Sequence, residues 1–138
     1  EKEYIYQEYL PGLEYTIDVL CDMNSNPISI VPRKRLQTKE GVSTKAKIVR
    51  DVEIEKYCFD ICKFLELKGS ICLQMKEDVN EKLKFIEINP RFGGGTYFST
   101  LAGINFVKVI LDLINEKQVN LPNPKEITVL RYYNEVVI

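Results

Sequence analysis

Residues 85–95 read Phe85-Ile86-Glu87-Ile88-Asn89-Pro90-Arg91-Phe92-Gly93-Gly94-Gly95, a strand that runs directly into a glycine loop. Along a strand, residues two apart project from the same face. Glu87 and Asn89 therefore share one face, with Arg91 two residues further on. Ile86 and Ile88 are expected to face the opposite way, into a core. Three polar groups on one face of an apolar strand call for something polar beside them. Carboxylate and amide oxygens suit a hard cation such as Mg2+, which in proteins commonly arrives with substrate phosphates. The rigid donor fork of Arg91 suits a phosphoryl group or a carboxylate. The stretch points to a metal–nucleotide site.

The bulk composition narrows the chemistry around that stretch. At 138 residues the chain is long enough for one domain with its own core. Its 45% hydrophobic and 28% charged residues are ordinary for a soluble globular domain. A net charge of −1 gives no bulk attraction to nucleic acid or acidic membrane, so neither is expected as a partner. No apolar run approaches the roughly 20 residues of a membrane helix and no signal peptide is evident, so a cytoplasmic location is expected. The chain contains no histidine, which removes Ser-His-Asp, Cys-His and His-metal chemistry. Cys58 and Cys62, four apart on an expected helix, could form half a zinc site. Their place beside Ile54, Ile61 and Leu65 favours buried thiols instead.

Periodicity lays out the remaining elements. Tyr4 to Leu10 has strand character and meets a turn at Pro11-Gly12. Glu14 to Cys21 alternates, with Tyr15, Ile17 and Val19 on one face and Glu14, Thr16 and Asp18 on the other. Asp18 is read as a surface residue. Ile28 to Val31 returns as a strand after a polar turn. The basic segment Pro32 to Thr44 reads as a mobile loop, and Lys45 to Val49 as a further strand. Asp51 to Leu67 carries a helical apolar stripe, with Gly69 expected to supply the left-handed cap. Gly69 to Lys76 and Leu83 to Asn89 form a hairpin. Short helices follow at Phe98 to Leu101 and Asn105 to Asn115, and a last strand is expected over Ile127 to Ile138. The expected fold is α+β, a largely antiparallel sheet with helices packed on one face.

Within the hairpin, Gln74 lies opposite the strand that carries Glu87 and Asn89. Paired strands bring opposed side chains to about 5 Å, so three oxygen donors could converge as a divalent-cation cradle. A solvated polar face of a hairpin accounts for the same spacing, and the residues alone leave both readings open. Upstream, Gln7-Glu8-Tyr9-Leu10-Pro11-Gly12-Leu13-Glu14 ends an extended segment. Its backbone near Glu8 and Leu10 can offer hydrogen bonds to a flat purine, and Glu14 can accept from two vicinal ribose hydroxyls.

Together the two segments resemble the ATP-grasp superfamily, closest to its carbamoyl-phosphate-synthase-like and amino-acid ligase branches. The resemblance runs from Gln7 to about Leu113. It implies that Gln7, Glu8, Leu10 and Glu14 bind adenine and ribose. It implies Mg2+ (or Mn2+) between the ATP phosphates and Gln74, Glu87 and Asn89. It assigns Arg91, with Asn89, to catalysis at the transferring phosphoryl group. Arg33 and Arg35 fall where the family has a loop near phosphates or substrate, and a solvated basic loop reads the same way. Gly93-Gly94-Gly95 before a helix would let backbone N–H groups approach an anionic substrate, in preference to serving as a plain turn.

The family holds its nucleotide between two subdomains, and this chain, which starts on Glu1, resembles only the second. It is expected to be a single-domain fragment, lacking the N-terminal ATP-grasp subdomain and inactive by itself. The intact protein is then expected to be an ATP-dependent ligase. A carboxylate or bicarbonate would attack the γ-phosphate to give an acyl phosphate, which an amine then opens. A non-catalytic nucleotide-binding or interaction module is the alternative. Loss of the facing subdomain also raises the prospect of a homodimer through the surface around Gln7, Leu10, Glu87 and Asn89.

Overall fold

The computed structural model describes residues 3–132 and 137. Nine elements follow in the order β1 (Glu14–Cys21), β2 (Pro27–Lys39), β3 (Val42–Ile48), α1 (Val52–Phe64), β4 (Gly69–Glu77), β5 (Leu83–Asn89), α2 (Tyr97–Leu101), α3 (Phe106–Ile114) and β6 (Thr128–Leu130). The strands form one sheet in the order β5-β4-β1-β2-β3-β6, with every neighbouring pair antiparallel. The expected α+β class with an antiparallel sheet is the one observed. Among the described residues no helix is long and apolar enough to cross a membrane.

The alternation of β1 builds both sides of the sheet. Tyr15, Ile17, Val19 and Cys21 pack with Ile71, Leu73 and Met75 of β4 and with Ile54, Cys58 and Cys62 of α1. Leu20 points the other way and joins Val31, Ala46 and Ile48 against Phe98, Ala102, Ile104, Phe106 and Val109. Helix α1 therefore covers one face while α2 and α3 cover the other, which corrects the expectation of helices on a single face. All four cysteines are buried free thiols. Burial pushes the Cys58 thiol up to about 12, well away from the thiolate a zinc ion would require.

Helix α1 begins where Asp51 accepts from the backbone N–H groups of Glu53 and Ile54, at 3.0 and 3.1 Å. At its far end Leu67 N–H reaches the Cys62 carbonyl and Glu66 N–H reaches that of Lys63, a Schellman closure. The left-handed residue of that closure is Glu66, at φ 52°, rather than Gly69. Gly69, also left-handed at φ 74°, turns the chain into β4 instead.

Three further expectations are corrected. Tyr4 to Leu10 forms no strand, and Tyr4, Ile5, Tyr6 and Tyr9 are exposed. The segment expected as a mobile loop is the outer half of β2 and the start of β3, joined at Glu40-Gly41. Both turn residues take positive φ, 51° and 77°, the geometry that suits the strand twist in a two-residue hairpin. Two of the basic side chains that suggested a loop, Arg33 and Arg35, are instead paired with Asp18 and Glu14 on β1. Among the described residues the final strand spans Thr128–Leu130 on the edge of β3, with Ile127, Arg131, Tyr132 and Val137 outside it; residues 133–136 and 138 of the expected strand lie outside the described residues.

Candidate functional site

The β4–β5 hairpin places Gln74 directly opposite Glu87 and Cys72 opposite Asn89. On the other side of β4, Thr16 faces Gln74 and Asp18 faces Cys72. Asn89 Nδ2 donates to Glu87 Oε1 at 2.7 Å, and Arg91 Nη2 donates to Asn89 Oδ1 at 3.4 Å. Arg91 Nη1 also donates to the Phe92 carbonyl at 2.9 Å. Gln74, Glu87, Asn89 and Arg91 thus come together on the face covered by α2.

A register shift between Gln74 and Met75 sits within this hairpin, leaving Ile86 between the paired Phe85 and Glu87. The extra residue breaks the alternation there. Ile88 packs on the α1-side core as expected, whereas Ile86 does not. Ile86 instead lines a cleft of about 320 Å³ with Gln7, Glu8, Leu10, Lys84 and Phe85. The expectation that Ile86 is a core residue is corrected, and the bulge is the reason. The segment ahead of β1 is tied down by reciprocal bonds between Gly12 and Leu13 and the backbone of Glu77, each 3.0 Å long.

A second cleft, of about 200 Å³, lies over the sheet centre. Thr16, Arg33, Arg35, Gln74, Asn89, Arg91 and the three glycines help to line it. Its floor is ionic. Asp18, only 1% exposed, pairs with Arg33, itself 2% exposed. Asp18 also accepts from Thr96 Oγ1 at 3.1 Å and Ser99 Oγ at 2.7 Å. Arg35 pairs with Glu14 and donates to the Gly41 carbonyl at 2.7 Å. Arg33 thus sits in the site, with its charge matched by Asp18. Glu14 is held by Arg35, and Glu8 lies 3.5 Å from Lys84.

The reading of Asp18 as a surface residue is overturned. A carboxylate buried this deeply is costly unless paired and hydrogen-bonded, and Arg33, Thr96 and Ser99 meet that need. One signal was available in the sequence: Asp18 is the only charged residue between Thr16 and Cys21, in the middle of an apolar strand. Thr96, Ser99 and Arg131 carried no such signal. Arg131 Nη2 donates to the Gly94 carbonyl at 2.9 Å, and its guanidinium lies 5.0 Å from the centre of the Phe98 ring.

The glycines are fitted to this floor. A Cβ on Gly93 would lie 2.7 Å from Cys72 Sγ, and one on Gly95 would lie 2.9 Å from Arg33 Nη2. One on Gly94 would meet nothing within 4 Å. The loop is pressed onto the sheet at its two outer residues and open at its middle.

Among the described residues, no group of three or more His, Cys, Asp or Glu side chains is arranged to hold a metal. The candidate donor set is different in kind: the Glu87 carboxylate with the amide oxygens of Gln74 and Asn89. These are hard oxygen donors and fit Mg2+. They bring a single negative charge, so they suit a cation whose remaining charge is met by phosphates.

The antiparallel sheet with helices on both faces and a polar site over its centre defines an α+β fold. The solved structures it resembles bear this out at the level of fold. The ATPase subunit of phosphoribosylaminoimidazole carboxylase from Aquifex aeolicus matches with TM-score 0.68 and 14% identity, over 87% of this chain and 37% of that one. N5-carboxyaminoimidazole synthetase from Staphylococcus aureus, complexed with ADP, matches at 0.63 and 15%, over 83% and 32%. Biotin carboxylase from Campylobacter jejuni, in complex with β,γ-ATP, matches at 0.63 and 13%, over 83% and 28%. The chain spans about a third of the length of these proteins. No curated protein matches it. A family model does: residues 1–136 match the family described as ATP-grasp in the biosynthetic pathway with Ter operon. The chain belongs to that ATP-grasp family.

Proposed function

We propose that this chain is the nucleotide- and metal-binding half of an ATP-dependent ligase that joins a carboxylate, or bicarbonate, to an amine through an acyl phosphate. The observation that carries this reading is the in-register pairing of Gln74 with Glu87, with Asn89 and Arg91 hydrogen-bonded in sequence beside them. Gln7, Glu8 and Leu10, with Phe85 and Ile86, are the proposed walls of the adenine cleft. Glu14 would take the ribose hydroxyls by exchanging part of its contact with Arg35.

Gln74, Glu87 and Asn89 would hold Mg2+, which when bound supplies charge neutralisation at the phosphates. Arg91 adds a second, fixed positive charge where negative charge develops on the transferred phosphoryl group. Its present acceptors are neutral, the Phe92 carbonyl and the Asn89 amide, so a phosphate oxygen can replace them at a gain. Arg33 and Arg35 have carboxylate partners and act from beneath as structural cations. The facing subdomain, with the lysines that complete the phosphate site, would come from polypeptide outside these 138 residues.

Calorimetric titration of MgATP into the chain tests the reading, with Glu87→Gln and Glu87→Ala as variants. Binding that weakens on either substitution and on removal of Mg2+ is expected. Equal binding by all three proteins would refute the assignment of Glu87.

A further inference from the structure

We propose that Asp18 is a positioning residue for Arg91, acting through Thr96 and the glycine loop; this rests on the functional reading above. The segment from Pro90 to Gly95, which carries Arg91, lies outside regular structure. It is anchored at one end by β5 and at the other by Thr96. Thr96 does three things at once. Its Oγ1 accepts from Gly93 N–H at 2.9 Å, and its own N–H donates to the Gly93 carbonyl at 3.1 Å. The same Oγ1 donates to Asp18 Oδ1 at 3.1 Å.

Asp18 therefore fixes the direction of the Thr96 hydroxyl, leaving its lone pairs for Gly93. It is itself held by Arg33 on β2 and by Ser99 on α2. Arg33 in turn supports Gly95 from below, since the guanidinium leaves no room for even a Cβ there. Two points of the loop are thus set by one buried carboxylate. Arg91 emerges two residues before the first of them. Nothing in the phosphoryl chemistry itself requires a buried Asp–Arg pair at the sheet centre. Fixing the start and end of the loop that bears the phosphate-reading arginine does require something of this kind.

A positioning role predicts a specific signature in nucleotide binding. Arg91 is proposed to contact the phosphoryl group that is transferred, which ADP lacks. Misplacing it should weaken MgATP and leave MgADP nearly unchanged. Asp18→Asn leaves Arg33 buried without its counter-charge and is liable not to fold, so the decisive variant is Thr96→Val. Thr96→Ser restores the hydroxyl, and Val109→Ala in the α3 core serves as a control for general loss of stability.

The experiment is titration of MgATP and MgADP into the wild-type chain and these three variants. Thr96→Val is expected to lose about tenfold or more of the preference for MgATP over MgADP, the size of one charge-assisted hydrogen bond. Thr96→Ser is expected to recover it and Val109→Ala to retain it. A preference unchanged in Thr96→Val, or lost equally in Val109→Ala, would overturn the positioning role alone. Failure of the wild-type chain to bind either nucleotide would overturn the functional reading and this inference with it.

Discussion

Replacing Gly95 by alanine should unsettle the buried ion pair beneath it, and the size of the effect follows from the contacts. The added Cβ would lie 2.9 Å from Nη2 of Arg33 and 3.1 Å from both Cζ and Nε. Comfortable separation is about 3.5–4.0 Å, so the guanidinium must retreat by roughly half an ångström or more. It has little freedom to do so, being 2% exposed and bound to Asp18. Overpacking of a tight site costs about 1–3 kcal/mol, and breaking a buried pair outright about 3–5 kcal/mol. A partial displacement should therefore cost about 2–3 kcal/mol. The neighbouring Gly94 provides the control, because its Cβ would meet nothing within 4 Å. Gly94→Ala should stay within about 0.5 kcal/mol of the wild type. Urea unfolding followed by far-UV circular dichroism, with linear extrapolation to water, measures both. Equal stability of the two variants, or a Gly95→Ala effect below about 0.5 kcal/mol, would refute the close packing of loop on guanidinium.

Two other perturbations probe the fold. Hydrogen bonds from Asn26 hold the Asp22 carboxyl below its ordinary value. Backbone N–H groups of Lys82 and Asn80 do the same for Asp78, and Lys108 and Lys117 for Asp112. Folded-state values depressed in this way contribute stability that is full above about pH 4 and drains as the pH falls through them. Burial raises Tyr15 from 10.0 and Cys58 from 9.0, each to about 12, so their contribution is full below those ordinary values and is lost as the pH rises towards 12. Thermal midpoints measured across pH should show a plateau between about pH 4 and pH 9, and stability that increased on going below pH 4 or above pH 9 would contradict these shifts. Glu66→Gly should stabilise the chain by about 0.5–1 kcal/mol, because a glycine removes the left-handed strain at φ 52°. A loss of stability in the same unfolding assay would contradict the cap geometry.

The parts of the site that could be read in the sequence were those governed by local pairing. A short hairpin brings the strands of Gln74 and Glu87 side by side, as the turn between them implies, but the turn's register alone would set Gln74 opposite Ile86, and the bulge carries Glu87 there instead. The parts that could not be read depended on partners distant in sequence. Arg33 and Arg35 looked like loop residues because Asp18 and Glu14 lie 15 and 21 residues away. The two-residue turn at Glu40-Gly41 was hidden because glutamate is an unusual occupant of a left-handed position. The same exception at Glu66 shifted the helix cap away from the glycine that suggested it. At Ile86 a bulge broke the alternation on which the face assignment depended. Asp18 was misjudged for a different reason: parity placed it correctly on the face of Glu14, but only packing of α2 over that face shows it to be buried.

The proposed metal–nucleotide site lies on the β4–β5 hairpin. Titrating Mn2+ with ATP into the isotopically labelled chain tests it directly, because the paramagnetic ion broadens the resonances nearest to it. Selective loss of the Gln74, Glu87 and Asn89 signals is expected, dependent on ATP and abolished by Glu87→Ala. Broadening centred elsewhere, such as on Asp22, Asp78 or Asp112, or unchanged by that substitution, would contradict it.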